Sequence, residues 1–353
     1  METRVVRACG DPGADREVMK EAAGIIKAGG LVAIPTETVY GLAGDALNPS
    51  SSKKIYEAKG RPSDNPLIVH IAKLKDMERI AEDIPGTAYK LAEKYWPGPL
   101  TMILKKKEIV PYETTGGLDT VAVRFPVNMI AREFIEASGG FIAAPSANRS
   151  GRPSCTTAKH CLEDLDGKVD MIIDGGEVGI GLESTIIDLT GGRPCILRQG
   201  YINEEMLRDA LGDVETEAPE TEHPKAPGMK YRHYAPKGIM KIVQGEGSHV
   251  EEKIIEMVSE HLSREEKVAV ISSHEKYQEY LDNFRDRSSV SVYDIGSTED
   301  EDLIAHRLFA ILREIDDTGA GYIYSESFDT PRLGKAIMDR LYRAAGHNII
   351  YSD

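Results

Sequence analysis

The chain has 353 residues, a length that favours about two domains. Charged residues make up 29% and hydrophobic residues 41%, and no run of ~18 apolar residues occurs, so the sequence predicts no transmembrane helix. The formal net charge of −15 is unevenly divided, with −4 over residues 1–211 and −10 over residues 238–353. An acidic chain is a poor general binder of nucleic acid, although a local basic pocket can still hold an anion.

The N-terminal stretch and the cysteines bear on where the protein works. Residues 1–20 contain no apolar signal core, so we expect a cytoplasmic protein without a membrane segment. The four cysteines form no CxxC pair and have no histidine at zinc spacing; they are Cys9, Cys155, Cys161 and Cys195. We therefore expect reduced, mostly structural thiols.

The first 211 residues alternate predicted helices with predicted strands. Residues 16–28 have a helical apolar pattern that ends at Gly29 and Gly30, and residues 31–34 form a short apolar strand. Further helices are predicted over 50–59, 88–96, 128–138 and 203–211, and strands over 66–71, 100–106, 120–126, 140–145, 169–176 and 183–190. This alternation predicts an α/β domain over residues 1–211.

Residues 212–238 differ in composition from the sequence on either side. They are rich in proline and poor in apolar residues, which is typical of a linker. Their last part, PGMKYRHYAPKG, nevertheless concentrates groups that can contact a ligand: Lys230, Tyr231, Arg232, His233 and Tyr234. We expect this linker to fold over a cleft of the first domain; the alternative is that its aromatic side chains pack on the second domain.

Residues 239–353 predict a second, smaller α/β domain. Strands are expected over 239–245, 267–273, 290–296 and 321–327, and helices over 249–262, 301–315 and 332–345. The alternation of the two predicts a small parallel sheet.

The first segment with unusual chemistry is AIPTETVYGLAGDA, residues 33–46. Pro35 cannot donate a backbone hydrogen bond, so the strand before it should end there. Gly41 and Gly44 should then let the backbone turn. The polar side chains would lie on a loop at the strand end, where open α/β sheets bind ligands; they are Thr36, Glu37, Thr38 and Tyr40. A plain polar turn is the alternative interpretation.

The second segment is EAKGRPSDNPLIVH, residues 57–70. Lys59 and Arg61 flank a glycine at a predicted helix end, and two exposed cations on a rigid loop suit a polyphosphate. The alternative is that both charges interact with the C-terminal end of the helix dipole. Asn65 and His70 follow, and His70, within an apolar strand, is either a ligand contact or a hydrogen-bonded core histidine.

The third segment, APSANRSGRPS over residues 144–154, repeats this design. After an apolar strand come Pro145 and side chains that can contact phosphate oxygens or a base edge: Ser146, Asn148, Arg149, Ser150 and Ser154. A turn is again the alternative. Arg124 lies in another strand, TVAVRFP, and burying its guanidinium is costly unless an anion such as a carboxylate lies beside it. Together, these strand ends predict one anion-binding cleft, although no GxxxxGK[ST], GxGxxG, HExxH or GxSxG motif is present.

The segments PTETVYGLAGDA, KGRPSDNPL and SANRSGRPS resemble the threonylcarbamoyl-adenylate synthases of the YrdC-like class. Lys59 and Arg61 match the KxR element of that family, and Ser146 and Asn148 match its SxN element. The resemblance covers about residues 15–210, and PGMKYRHYAPKG with the second domain resembles the long, two-domain branch. It implies a twisted, mixed α/β sheet with helices in the first domain and a smaller Rossmann-like α/β domain at the C-terminus, with 212–238 covering the active site.

The resemblance also implies a reaction. Enzymes of this family condense L-threonine, bicarbonate or CO₂, and ATP into threonylcarbamoyl-AMP and pyrophosphate, so we expect a nucleotidyltransferase. A downstream tRNA threonylcarbamoyl-transferase machinery then modifies an adenosine next to the anticodon, and whether this chain itself contacts tRNA weakly stays open. Mg²⁺ is expected to come with ATP and to be held mainly by its phosphates, with no side-chain metal motif and no organic cofactor.

The resemblance assigns roles to particular residues. The expected catalytic set is Lys59, Arg61, Ser146 and Asn148, because fixed cations stabilise the charge that develops on the leaving pyrophosphate. The expected L-threonine site consists of Thr38, His70, Arg124, the Ala144 backbone and Ser184. The expected ATP site consists of Arg61, Asn65, Thr120, Ser146, Asn148, Ser154, Arg198 and Tyr234.

Two other functions compete with this interpretation. A double-stranded RNA or tRNA-binding module would use the same cavity for an RNA backbone, but the acidic balance argues against it. A carbamoyltransferase of the hydrogenase-maturation type contains a related domain together with zinc-finger and acylphosphatase modules. The present sequence has no CxxC and no spare domain for such modules, which argues against that function as well.

Overall fold

The computed structural model describes residues 2–216, 226, 233–285 and 287–352. The chain divides into two compact units, one of residues 1–150 and 154–230 and the other of residues 151–153 and 231–353. The short segment 151–153 belongs to the second unit, where the amide of Ala235 donates to the carbonyl of Gly151 at 2.8 Å.

The first unit contains the elements β1 to β11 and α1 to α8. Its strands are β1 (Arg4–Arg7), β2 (Val32–Ile34), β3 (Gly41–Asp45), β4 (Ile68–Ile71), β5 (Ala81–Glu82), β6 (Leu100–Lys106), β7 (Thr120–Arg124), β8 (Phe141–Ala143), β9 (Met171–Asp174), β10 (Thr185–Asp188) and β11 (Cys195–Arg198). Its helices are α1 (Arg16–Lys27), α2 (Pro49–Lys59), α3 (Met77–Ile80), α4 (Gly86–Tyr95), α5 (Tyr112–Thr115), α6 (Met129–Ala137), α7 (Ala158–Leu165) and α8 (Glu204–Leu211).

The described strands of the first unit form a mixed sheet in the order β1-β9-β2-β3-β8-β4-β7-β6-β10-β11, and β5 pairs with β6. The β4–β7 and β6–β10 pairs are parallel, whereas β2–β3, β3–β8, β4–β8 and β6–β7 are antiparallel. The predicted mixed α/β sheet is therefore confirmed.

Helix α1 illustrates why the sequence folds in this way. Its buried residues Met19, Ala22, Ala23 and Ile26 recur at helical spacing and form one apolar face. The helix ends before Gly29, whose φ of 76° lies in the left-handed region that glycine adopts without a steric cost. Packing of such faces on the sheet buries the core of the first unit.

The prediction that Gly41 and Gly44 form a turn is wrong. Both lie in β3, which pairs antiparallel with β2. A Cβ atom on Gly41 would approach Cβ of Ala144 to 3.2 Å, and one on Gly44 would approach Cδ1 of Ile55 to 3.0 Å. These glycines therefore allow neighbouring segments to approach the strand closely.

The second unit is a parallel α/β sheet. Its strands are β12 (Ile239–Gly245), β13 (Val268–Ser272), β14 (Val290–Asp294), β15 (Tyr322–Ser325) and β16 (Ile349–Ser352), in the order β14-β13-β15-β12-β16. Its helices are α9 (His249–Leu262), α10 (His274–Phe284), α11 (Glu301–Thr318) and α12 (Gly334–Ala344). The described strand pairs are all parallel, which confirms the predicted second, smaller α/β domain with a parallel sheet.

The first unit continues beyond the predicted boundary at Leu211. Val214 is buried in its core. The amide of Ile196 donates to the carbonyl of Glu215 at 2.8 Å, so Glu215 extends the pairing of β11. The predicted linker 212–238 therefore begins inside this unit. Lys230, Tyr231 and Arg232 lie outside the described residues, as does most of the remaining linker.

Two composition-based expectations can be compared with the described part of the chain. No helix within it is long and apolar enough to cross a membrane. All four cysteines are free thiols, and three of them, Cys155, Cys161 and Cys195, are buried.

Candidate active site

The polar segment after β2 is a loop, as predicted, and its hydroxyls are bonded to one another. Thr36 Oγ1 donates to the carbonyl of Val39 at 2.7 Å and lies 2.9 Å from Thr38 Oγ1. The carbonyl of Thr38 accepts a hydrogen bond from the amide of Gly181 at 3.0 Å. This loop is therefore fixed to the segment that leads into β10, and Thr38 is buried.

Lys59, the last residue of α2, is a buried ammonium. Its side chain turns away from the helix, and Nζ donates to the carbonyl of Ser146 at 2.5 Å and to the carbonyl of Asn148. Lys59 is only 3% exposed, so the predicted exposed cation is wrong. Burial, with a smaller effect from the charge of Arg61, lowers the pKa of Lys59 to about 7. The KxR and SxN elements are thus joined by this side chain.

Arg61 is also buried rather than exposed, and it is bonded to the loop before β4. Its Nη2 donates to Asn65 Oδ1 at 2.6 Å and to the carbonyl of Pro66 at 2.9 Å, and Nε donates to the carbonyl of Asn65 at 3.1 Å. Lys59 Nζ is directed at the carbonyls of Ser146 and Asn148 rather than at those that end α2, so the helix-dipole alternative does not explain where this charge lies.

The SxN element has hydrogen bonds of its own. Ser146 Oγ donates to Asn148 Oδ1 at 2.6 Å, and Asn148 Nδ2 donates to the carbonyl of Arg149 at 2.8 Å. Further along, Ser154 Oγ donates to Glu183 Oε1 at 2.5 Å, and both side chains are buried. Glu183 was not among the predicted residues; its only signal in the sequence is its place beside Ser184.

Arg124 lies at the end of β7 and has an anionic partner within the protein. Its Nη2 donates to Glu37 Oε1 at 2.5 Å, and the two side chains are 5% and 10% exposed. The sequence predicted a carboxylate beside this guanidinium but attributed it to substrate. Since Glu37 supplies one, burial of Arg124 does not by itself require a bound ligand.

His70 is the register partner of Arg124 on the neighbouring strand β4. Its Nδ1 lies 3.1 Å from the carbonyl of Ile68, which can only accept, so Nδ1 carries the proton. Burial, with a further effect from Arg124, lowers the pKa of His70 to about 3. The imidazole is therefore neutral, with Nε2 as an acceptor. The amide of Ala144 donates to the same Ile68 carbonyl at 3.0 Å.

Strand β7 also pairs with β6, on the side away from β4, and this pairing connects Arg124 with Ser184. Thr101 of β6 is paired in register with Arg124, and its hydroxyl lies 2.7 Å from Ser184 Oγ. Arg198 of β11 donates from Nε and Nη2 to the carbonyl of Ser184 at 3.1 and 2.9 Å. Neighbouring strands therefore bring His70, Arg124, Thr101 and Ser184 to one region. Within the described ranges, no group of three or more His, Cys, Asp and Glu side chains could hold a metal ion.

Comparison with known proteins assigns the chain to a family. A family model described as telomere recombination matches residues 24–200, and one described as the C-terminal domain of threonylcarbamoyl-AMP synthase matches residues 202–346. A threonylcarbamoyl-AMP synthase from Pyrococcus abyssi is 46% identical over 333 residues, which cover 93% of this chain and 94% of that protein. The chain belongs to the threonylcarbamoyl-AMP synthase family.

Other members of the threonylcarbamoyl-AMP synthase family match over a similar length. The protein from Bacillus subtilis is 40% identical over 334 residues, covering 94% of this chain and 93% of its own. The crystal structure of P. abyssi Sua5 complexed with L-threonine is 44% identical, covers 100% of both chains and has a TM-score of 0.90. The two-domain fold of the family therefore accounts for the whole chain.

Two residues of the site expected from this family, Thr120 and Tyr234, have surroundings that are described separately. Thr120 begins β7 and Arg124 ends it, a separation of about 13 Å at the usual rise per strand residue. Tyr234 belongs to the second unit, where it is buried and its ring centroid lies 5.0 Å from that of Phe309. That packing is what the alternative interpretation of the linker predicts for an aromatic side chain. The contacts of Thr120 and Tyr234 with ATP stay predictions.

Proposed function

We propose that this chain joins L-threonine, bicarbonate or CO₂, and ATP into threonylcarbamoyl-AMP, with release of pyrophosphate. Membership of the threonylcarbamoyl-AMP synthase family supports the proposal, as does a relative of the same fold that was solved with L-threonine. The observation that carries it for this chain is the bond from the Lys59 ammonium to the carbonyls of Ser146 and Asn148. It holds a cation beside hydroxyl and amide groups that can receive a nucleotide.

The proposed chemistry proceeds in two steps. The ammonium of threonine first loses a proton to water, the resulting amine nitrogen attacks the carbon of CO₂, and a second proton passes to water, which gives a carbamate. A carbamate oxygen then forms a bond to the α-phosphorus of ATP while the bond from that phosphorus to the pyrophosphate oxygen breaks. Negative charge grows on the departing pyrophosphate, so the main task of the protein is positioning and electrostatic stabilisation.

Lys59 and Arg61 are the residues that we propose to stabilise this charge. Both are held by hydrogen bonds before substrate arrives, so they need little reorganisation during the reaction. Because the pKa of Lys59 is about 7, an incoming polyphosphate should favour its protonated form. Mg²⁺ entering with ATP would be held mainly by the phosphate oxygens and would supply further positive charge to the leaving pyrophosphate. The remaining ATP contacts are proposed for Asn65, Thr120, Ser146, Asn148, Ser154, Arg198 and Tyr234.

The amino-acid site is proposed around β4 and β7. Arg124 would bind the threonine carboxylate, since a guanidinium makes strong paired hydrogen bonds to carboxylates. Neutral His70 offers Nε2 as an acceptor for a donor of the same ligand. The remaining threonine contacts are proposed for Thr38, the Ala144 backbone and Ser184.

The product is a mixed anhydride, and it must be consumed before water hydrolyses it. We propose that a downstream tRNA threonylcarbamoyl-transferase takes it and modifies an adenosine beside the anticodon. The chain itself would act as a nucleotidyltransferase.

An omission experiment tests this function. Pyrophosphate release is measured with ATP and Mg²⁺ in four mixtures: both L-threonine and bicarbonate, either one alone, or neither. We expect release only when both are present, because the carbamate that attacks ATP needs both. Equal release without threonine would show that the chain cleaves ATP for another purpose.

A further inference from the structure

The buried ion pair between Glu37 and Arg124 is incompletely hydrogen-bonded. Glu37 Oε1 accepts from Arg124 Nη2, a single bond where a guanidinium and a carboxylate can form two. Among the residues that the structure describes, Glu37 Oε2 and Arg124 Nε have no hydrogen-bond partner, and both atoms are buried. An unpaired buried polar atom costs free energy, so two in one ion pair indicate a missing ligand.

A zwitterionic amino acid would supply both missing partners. Its carboxylate accepts hydrogen bonds and its ammonium donates them, and the two groups lie on the same carbon atom. Arg124 offers the matching donor and Glu37 the matching acceptor. Neutral His70 adds no charge on the neighbouring strand, so the charged side chains at this position are Arg124 and Glu37.

We propose that Glu37 binds the α-ammonium group of the amino-acid substrate while Arg124 binds its carboxylate. This inference rests on the proposed function and deepens it, since it assigns the group that recognises the reacting nitrogen. The backbone supports the assignment: the amide of Ile180 donates to the carbonyl of Glu37 at 2.8 Å, which fixes the loop that carries the side chain. Glu37 Oε2 is the oxygen that would accept the hydrogen bond from the ammonium.

The test compares two ligands by isothermal titration calorimetry. One is L-threonine, and the other is (2S,3R)-2,3-dihydroxybutyrate, in which a hydroxyl replaces the amine. With the wild-type chain, loss of the ammonium should weaken binding by about 10-fold or more, the usual effect of losing a hydrogen bond to a charged group. With Glu37→Gln, the same ligand change should weaken binding by less than about 3-fold, because the charge that favours the ammonium is gone.

Arg124→Lys is the matched control, since the carboxylate is common to both ligands. This variant should weaken the binding of both ligands by the same factor, so the ratio of their two dissociation constants should keep its wild-type value. Where Glu37→Gln fails to fold, as judged by thermal unfolding, Glu37→Asp is used instead; it withdraws the carboxylate by one methylene and should also reduce the ratio.

The outcomes separate this inference from the proposed function. If the ratio of the two dissociation constants keeps its wild-type value in the Glu37 variants, the role of Glu37 is overturned. The proposed function would still stand in that case, provided that threonine binds and pyrophosphate is released. Tighter binding of both ligands by Glu37→Gln with an unchanged ratio would also overturn it, because Glu37 would then be a competitor for Arg124. Failure of the wild-type chain to bind L-threonine at all would overturn the proposed function together with this inference.

Discussion

Replacement of Lys59 by alanine should damage both folding and catalysis, because the buried ammonium has a structural and a chemical role. Its removal leaves the carbonyls of Ser146 and Asn148 without this donor, and an unsatisfied buried group costs ~1–3 kcal/mol. Burying the ammonium is itself costly, as its lowered pKa shows. Removal of Lys59 eliminates this cost, which offsets part of the loss from the two carbonyls. The two carbonyls together would cost ~2–6 kcal/mol before this offset, so we expect a net loss in the free energy of unfolding that is smaller than this sum, and a loss of about 10²-fold in turnover.

The single tryptophan provides the assay. Trp96 lies in the first unit, where it is buried and Nε1 donates to the carbonyl of Leu100 at 2.7 Å. Its fluorescence during urea unfolding therefore reports the stability of the unit that holds Lys59. The matched control is Lys53→Ala on the same helix; Lys53 is 63% exposed and pairs with Glu113 at 3.4 Å, so its loss should cost less than ~1 kcal/mol. Equal unfolding free energies for the two variants would refute the structural role assigned to Lys59.

The remaining predictions concern pH, threonine binding and the second unit. The folded-state pKa of Lys59 is about 7 and lies below the ordinary lysine pKa. At pH values between these two pKa values, the unfolded chain therefore binds more protons than the folded chain. The wild-type free energy of unfolding, relative to that of Lys59→Met, should therefore rise from about pH 7 towards pH 10; a flat difference in urea titrations would contradict the shift. Arg124→Lys should raise the threonine KM more than the ATP KM in steady-state kinetics, since lysine does not reproduce a guanidinium contact; equal increases would remove Arg124 from the threonine site. Tyr234→Ala should weaken ATP binding measured by calorimetry, whereas Phe309→Ala, which removes a packing partner of Tyr234 but keeps the tyrosine, should leave the ATP affinity of the folded variant closer to wild type. Equal losses would indicate that Tyr234 acts through packing alone.

The fold could be predicted largely from local patterns. Strands such as β6 (Leu100–Lys106) and β12 (Ile239–Gly245) have the bounds predicted from their apolar runs, and so has α9 (His249–Leu262). The elements that escaped prediction have weak patterns for physical reasons. β3 is rich in glycine because other segments pack closely against it, and β1 (Arg4–Arg7) is a largely exposed strand with charged ends.

The chemistry of the site could be predicted less completely than its location. The motifs identified the helix end that carries Lys59 and the loops that carry Arg61, Ser146 and Asn148, because strand ends and glycine positions are local features. Burial of Lys59 could not be predicted, since it depends on carbonyls almost 90 residues away. The pairing of Arg124 with Glu37 is likewise a long-range contact. Its local signal, a glutamate after a proline-ended strand, does not specify a partner.

Isotope labelling of the product tests the central claim most directly. The chain is incubated with ATP, Mg²⁺, L-threonine and ¹³C-bicarbonate, and the products are analysed by mass spectrometry against a parallel reaction with unlabelled bicarbonate. The account predicts an adenylate that contains threonine and is heavier by one mass unit in the labelled reaction, formed together with pyrophosphate. Pyrophosphate without a labelled adenylate, or an adenylate of threonine that lacks the label, would contradict it.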